Sequence, residues 1–177
     1  MHGFLHENSH PQINLPLGLF WDIRVKFEPV EFDGERWDTS LGIGWLTWPV
    51  ENWQDLSQMD LAKVINPDMV ETSIYFVAEH WRVGLRSLSL SMTGGNRFLL
   101  EYAVEGDIDM GSATARLIAD GQCEIDFTGI IVVPGNHPVK PDTPEKACAM
   151  VSGFMETENL AEPVFDRFRY VFKPIAE

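Results

Sequence analysis

The sequence predicts an α+β fold that is mostly antiparallel β, either a curled sheet or a partly open, barrel-like meander. Three observations lead to this prediction. Apolar and polar residues alternate with a period of two, most clearly from Leu19 to Phe27. Turn sequences recur between such stretches, as at Asp33-Gly34. Helical spacing is confined to a short helix near residues 55–64 and one late helix near residues 144–156.

The first two strands, residues 19–27 and 37–48, form a hairpin closed by the turn at Asp33-Gly34. An unbroken register from this turn would set the apolar Leu41 opposite Lys26. One extra residue at Glu28-Pro29 restores apolar pairing, and proline is tolerated at bulges because it has no N–H to donate. The sequence therefore predicts a bulge at Glu28-Pro29.

Three tryptophans stand close together in the sequence GWLTWPVENW, residues 44–53. The bulged register pairs Trp45 with Trp21 on the inward face, which predicts that Trp45 belongs to the core. Trp48 falls on the opposite face, and Trp53 lies in the turn that follows. Trp48 and Trp53 are therefore candidates either for a partner-binding surface or for anchoring a corner of the fold.

The remainder of the chain predicts more strands and the two helices. Residues 74–85 are apolar on both faces, as in a central strand. A turn at Asp120-Gly121 divides a strand over residues 114–119 from one over residues 123–133. Pro144 suits the first position of the late helix, and Ala147, Met150, Val151 and Phe154 form its buried stripe. The alternating tail, residues 164–174, predicts a closing strand, with a helix as the alternative.

The chain is long enough for one domain with its own core. We expect a flexible N-terminus over residues 1–14 and a single domain over residues 15–177. The first residues lack the basic and apolar regions of a secretory signal. Cys123 and Cys148 are the two cysteines, which favours reduced thiols over a disulfide framework. A cytoplasmic location is expected.

The charge balance restricts the classes of partner. There are 27 Asp and Glu residues against 13 Lys and Arg residues, which gives a formal net charge of −14. Such an excess repels nucleic acid and anionic membranes, so we expect neither as a partner. A basic protein would instead be attracted and steered to its site.

The stretch LEYAVEGDID, residues 100–109, concentrates that charge on one strand. If the alternate apolar residues face inward, the outward side chains are those of Glu101, Glu105, Asp107 and Asp109. Neighbours two positions apart lie roughly 6.8 Å from each other along a strand. This row predicts a binding site for a Lys- and Arg-rich partner. The alternative is a solvated sheet face that Arg116 partly neutralises.

No catalytic motif, metal site or cofactor site is predicted. The histidines His2, His6 and His10 are spaced by four in the N-terminal segment, which indicates at most weak metal affinity. His80 and His137 have no identifiable catalytic partner in the sequence. The sequence also lacks a GxSxG elbow and a glycine-rich loop before a helix.

These observations favour a cytoplasmic binding protein that engages a basic macromolecular partner, and not an enzyme. An immunity-type inhibitor of a cationic toxin fits this profile, because such an inhibitor is also small, acidic and without catalytic groups. The alternative is a small-molecule-binding β-protein, or an enzyme, with an aromatic-lined cavity near Trp21, Trp45 and Trp81. A third class is a DNA mimic, a protein whose acidic side chains are arrayed like the phosphates of DNA.

Overall fold

The computed structural model of the chain describes residues 1–8, 14–65, 67–109 and 114–175. It confirms the α+β class, with a mostly antiparallel β structure. The strands are β1 (His2–Asn8), β2 (Leu15–Phe32), β3 (Glu35–Leu46), β4 (Glu71–Phe76), β5 (Glu79–Arg82), β6 (Gly84–Gly94), β7 (Arg97–Asp109), β8 (Thr114–Asp126), β9 (Ile130–Val132), β10 (Val164–Asp166) and β11 (Arg169–Phe172). The α-helix α1 spans Pro144–Ser152.

The described residues form two sheets. The large sheet has the strand order β10-β11-β9-β1-β2-β3-β4-β5 and stays open, with β10 and β5 at its edges. Its neighbours pair antiparallel except β1 and β9, which are parallel. The small sheet is the antiparallel set β6-β7-β8.

Strand β1 corrects the prediction of a flexible N-terminus for residues 2–8. It pairs with β2 on one side and with β9 on the other, and Leu5 is buried in the core. The pairing with β9 joins segments more than 120 residues apart, so no local pattern reveals it. Residues 9–13 of the same predicted terminus lie outside the described residues.

The β2–β3 hairpin confirms the predicted turn and bulge. Asp33 and Gly34 both adopt positive φ values, 52° and 76°, as the tight hairpin turn requires. The register shifts between Phe27 and Val30, which places the bulge at Glu28-Pro29. There the Thr39 hydroxyl donates a hydrogen bond of 3.2 Å to the Glu28 carbonyl.

Two other predicted strand boundaries were wrong. The segment from residue 74 to 85 is not one central strand, because Val77 and Ala78 turn the chain with φ values of 50° and 59°. Neither residue is a usual turn former, so no local pattern predicts this hairpin. The predicted turn at Asp120-Gly121 is also absent, since β8 runs through it. A Cβ on Gly121 would lie 2.8 Å from the Tyr102 hydroxyl, so glycine serves close packing there.

The inward faces of both sheets contribute to one hydrophobic core. Its largest fully buried side chains include Trp21, Phe98, Phe127 and Phe172. In the region predicted as a helix, 3₁₀ helices span Trp53–Gln58 and Leu61–Lys63. Asn52 and Asp55 form a reciprocal capping box at the first of these.

Helix α1 begins at the predicted Pro144, where the Thr143 hydroxyl caps it by accepting from the Lys146 amide at 3.3 Å. Ala147 and Val151 are buried as expected, whereas Met150 is half-buried and Phe154 is exposed beyond the helix end. The tail forms the hairpin β10–β11 instead of one strand. None of the helices in the described residues is long and apolar enough to cross a membrane.

Candidate functional site

The outward side chains of β7 form the predicted acidic row. Phe98, Leu100 and Val104 are buried, and the intervening Glu101, Asp107 and Asp109 are exposed while Glu105 is half-buried. This confirms the predicted alternation along the strand. The hydrophobic positions hold β7 against the core, so the carboxylates stand on a fixed backbone.

Strand β8 extends this row to a broader surface. Its register with β7 places three more exposed acids on the same side of the small sheet. We call this surface the acidic face; its carboxylates are Glu101, Glu105, Asp107, Asp109, Asp120, Glu124 and Asp126. Sequence reasoning missed the last three, because the expected turn at Asp120-Gly121 broke the strand that carries them.

Three arginines lie among these seven carboxylates, and each is already paired. Arg86 and Arg116 approach the same Glu105 carboxylate oxygen, at 3.8 Å and 3.5 Å. Arg97 lies 3.9 Å from Glu124 at the other end of the face. These pairs are solvent-exposed and therefore contribute little to stability. The acidic face keeps an excess of four negative charges after all three arginines are counted.

Trp48 and Trp53 do not lie on the exposed surface. Both are buried, with 8% and 3% of their surface exposed. Trp53 stacks on Phe127 with ring centroids 5.1 Å apart, and its indole N–H donates to the Asn159 carbonyl at 3.1 Å. The Trp48 carbonyl accepts a 3.0 Å hydrogen bond from the Trp21 indole. They anchor the corner of the fold, the second of the two roles considered for them.

Trp45 also lies elsewhere than predicted. A second bulge shifts the register so that Trp21 pairs with Leu46, and Leu46 takes the buried position. Trp45 itself has a φ of 60°, which is unusual for a bulky side chain. Its indole lies on the outer face of the large sheet. There it meets the Phe4 and Phe20 rings with centroids 5.3 Å and 5.4 Å away, at steep interplanar angles.

A cavity of about 350 Å³ opens beside Trp45 on this outer face. Strands β1 to β5 all contribute to it, together with the 3₁₀ helix Pro67–Met69. We call it the Trp45 cavity; its lining includes His6, Leu15, Trp45, Asp68, Glu71 and Arg82. It is not the cavity expected from the sequence, since Trp21 is buried in the core and only Trp45 of the three tryptophans lines it.

Among the described residues, the side-chain hydrogen-bond partners of His80 and His137 are Ser73 and Glu7. His80 is exposed, and its Nδ1 lies 3.4 Å from the Ser73 hydroxyl. His137 is buried with its Nδ1 3.1 Å from a Glu7 carboxylate oxygen, so this pair ties a connecting segment to β1. His10 lies outside the described residues. In the parts of the chain that are described, no three His, Cys, Asp or Glu side chains are grouped to hold a metal ion.

The two cysteines are free thiols and half-buried. Burial raises the pKa of the Cys123 thiol, so it is protonated at neutral pH and a poor nucleophile.

Comparison with known proteins identifies no relatives: no protein-family model, no curated protein and no solved structure matches the chain.

Proposed function

We propose that this protein is a binding protein whose acidic face engages a basic macromolecular partner. The observation that carries the proposal is the charge of that face, on which seven carboxylates surround three arginines that already have carboxylate partners. The face therefore keeps a net negative charge, which attracts cations from outside. A Lys- or Arg-rich partner supplies such cations.

The backbone beneath the charges supports this function. Carboxylates on a paired strand keep their mutual spacing, with roughly 6.8 Å between side chains two positions apart. A partner with cations on one rigid surface therefore meets a fixed pattern and loses little entropy in adapting to it. The net charge of −14 adds long-range attraction that raises the association rate.

Within this class we propose an immunity-type inhibitor of a cationic toxin, such as a nuclease, acting in the cytoplasm. A nuclease needs a cationic surface to hold its nucleic acid. An acidic face that covers this surface would block substrate binding without any chemistry of its own. The proposal assigns no catalytic role to any residue.

The test begins with the capture of basic proteins from the native lysate on immobilised wild-type protein. Captured proteins are identified, purified and titrated against the wild type and against a variant with Glu101→Lys, Glu105→Lys and Asp107→Lys. We expect the triple variant to lose roughly 100-fold or more in affinity, because three attractions become repulsions. A nuclease that is captured should also be inhibited by the wild type and not by the variant.

A matched control makes the same change in charge at three positions outside the acidic face. Glu31→Lys, Glu35→Lys and Glu79→Lys alter three exposed acids on the large sheet. This control should bind the partner nearly as tightly as the wild type. The proposal fails if both triple variants lose affinity equally, if the acidic-face variant still binds while folded, or if no basic protein is captured.

A further inference from the structure

The Trp45 cavity combines an aromatic wall with unpaired charges of both signs. Glu71 faces Gly44 across the β3–β4 pairing, which places it next to Trp45. Arg82 faces Ser73 across the β4–β5 pairing, so it lies diagonally from Glu71 on the same outer face. Asp68 borders the cavity from the adjacent 3₁₀ helix.

Within the described residues, the side chains of Asp68, Glu71 and Arg82 make no ion pair and no hydrogen bond. This differs from the acidic face, where each arginine has a carboxylate partner. A ligand in this cavity can therefore pair with a positively charged side chain and with negatively charged ones. A ligand that carries both an anion and a cation is complementary to this arrangement.

The backbone at Trp45 holds the indole in the cavity wall. The second bulge and the positive φ turn the side chain outward from the position that strand alternation would give it. Bulges of this kind often redirect a side chain next to a functional site. The Phe4, Phe20 and His6 rings surround the indole, and the His6 ring centroid is 5.1 Å from it.

His6 keeps this wall uncharged at neutral pH. Burial is the main cause that lowers its pKa, and the nearby His137 lowers it further against the opposing effect of Glu7. A neutral imidazole beside the indole does not repel a cation. Leu15 adds an apolar side to the same cavity.

We propose that the Trp45 cavity binds a small zwitterion, an amino acid or an N-methylated amino acid. The ammonium group lies against the Trp45 indole by a cation–π contact, with Asp68 and Glu71 as its counter-charges. The carboxylate of the ligand pairs with the Arg82 guanidinium. A cavity of about 350 Å³ suits a ligand of this size and not a polymer.

Three probes separate the two halves of the ligand: trimethylglycine, choline and acetate. Trimethylglycine carries both charges, choline lacks the carboxylate, and acetate lacks the ammonium. Titration calorimetry with the full chain should show saturable binding of trimethylglycine, at least tenfold weaker binding of choline, and none of acetate. A panel of free amino acids then establishes whether the natural ligand is methylated.

Variants assign the contacts. Trp45→Leu should weaken trimethylglycine binding at least tenfold, whereas Trp45→Phe, which keeps an aromatic face, should weaken it less. Arg82→Gln should bring the affinity for trimethylglycine down to that for choline. The matched control is Arg24→Gln, since Arg24 lies on the same sheet face but does not line the cavity.

Several results would overturn the proposal. One is the absence of saturable binding for trimethylglycine and every amino acid at millimolar concentration. Equal affinity for choline and trimethylglycine would exclude recognition of the carboxylate. An unchanged affinity in folded Trp45→Leu would exclude the cation–π contact. Circular dichroism of each variant separates loss of binding from loss of fold.

Discussion

The exposed faces of the two sheets carry charge in different ways. On the acidic face every arginine is paired with a carboxylate, and the charge that remains is of one sign. At the Trp45 cavity a cation and two carboxylates stand unpaired around an aromatic ring in the described part of the chain. Under the two proposals, one face attracts a large charged partner at long range, and the other binds a small ligand without net charge at contact distance.

The two faces share one core, and the largest expected effect comes from damaging it. Trp53→Ala removes a buried ring that stacks on Phe127 and meets the Phe98 ring edge-on, and it leaves a cavity. We expect the free energy of unfolding to fall by about 3–5 kcal/mol. Trp45→Gly should cost less than about 2 kcal/mol, because lost ring contacts are partly offset by relief of the positive φ.

Urea denaturation of both variants measures this difference. Trp45→Gly should leave binding by the acidic face intact, since that face lies on the other sheet. A cost for Trp45→Gly as large as that for Trp53→Ala would contradict the placement of Trp45 outside the core.

Salt separates the two proposed binding modes next. Raising the ionic strength from low to physiological values should lower the affinity for the basic partner about tenfold or more, because exposed charges are screened. Affinity for trimethylglycine should change by less than about twofold, since that ligand has no net charge and is held at contact distance. Titrations in a sodium chloride series measure both. Similar salt dependence for the two ligands would remove the distinction between the faces.

Removing arginines from the acidic face should have a smaller effect, and it should raise the affinity for the basic partner. Arg86→Gln with Arg116→Gln frees Glu105 from both of its partners. The affinity for the basic partner should rise about three- to tenfold, through a faster association rate. Arg36→Gln, at an exposed position of the β2–β3 hairpin, is the control and should change little. Weaker binding in the double variant would show that these arginines themselves contact the partner.

Local patterns predicted much of the fold. The bulge at Glu28-Pro29 followed from the hydrophobic register, and the alternation along β7 followed from its period of two. The start of α1 followed from Pro144 and its cap. Each of these depends on residues close together in sequence, where sterics and burial act directly. The part of the acidic face on β7 was predictable for the same reason.

The Trp45 cavity was not predictable in this way. The cavity forms only because residues predicted to be flexible form β1 in the large sheet. It also requires a hairpin at Val77-Ala78, where the sequence has no typical turn residues. It also needs the bulge that gives the buried position to Leu46 instead of Trp45. The pairing of β1 with β9 depends on contacts between distant segments, and the hairpin at Val77-Ala78 has no signal in its own residues. His6 and Arg82 line one cavity only because both features form.

The smallest expected effect is a dependence of stability on pH that arises from histidines on the large sheet. Burial lowers the pKa of His2 and His6, both on its outer face, while the stretch of residues 84–126 that carries the acidic face contains no histidine. A histidine with a lowered native pKa binds fewer protons folded than unfolded. Stability is therefore full above the unfolded pKa of about 6.5 and falls as the pH drops below it. Urea denaturation at pH 7.5 and pH 5.5 should show this loss, and His2→Gln with His6→Gln should reduce it. An equal loss in the double variant would place the responsible protons elsewhere in the molecule.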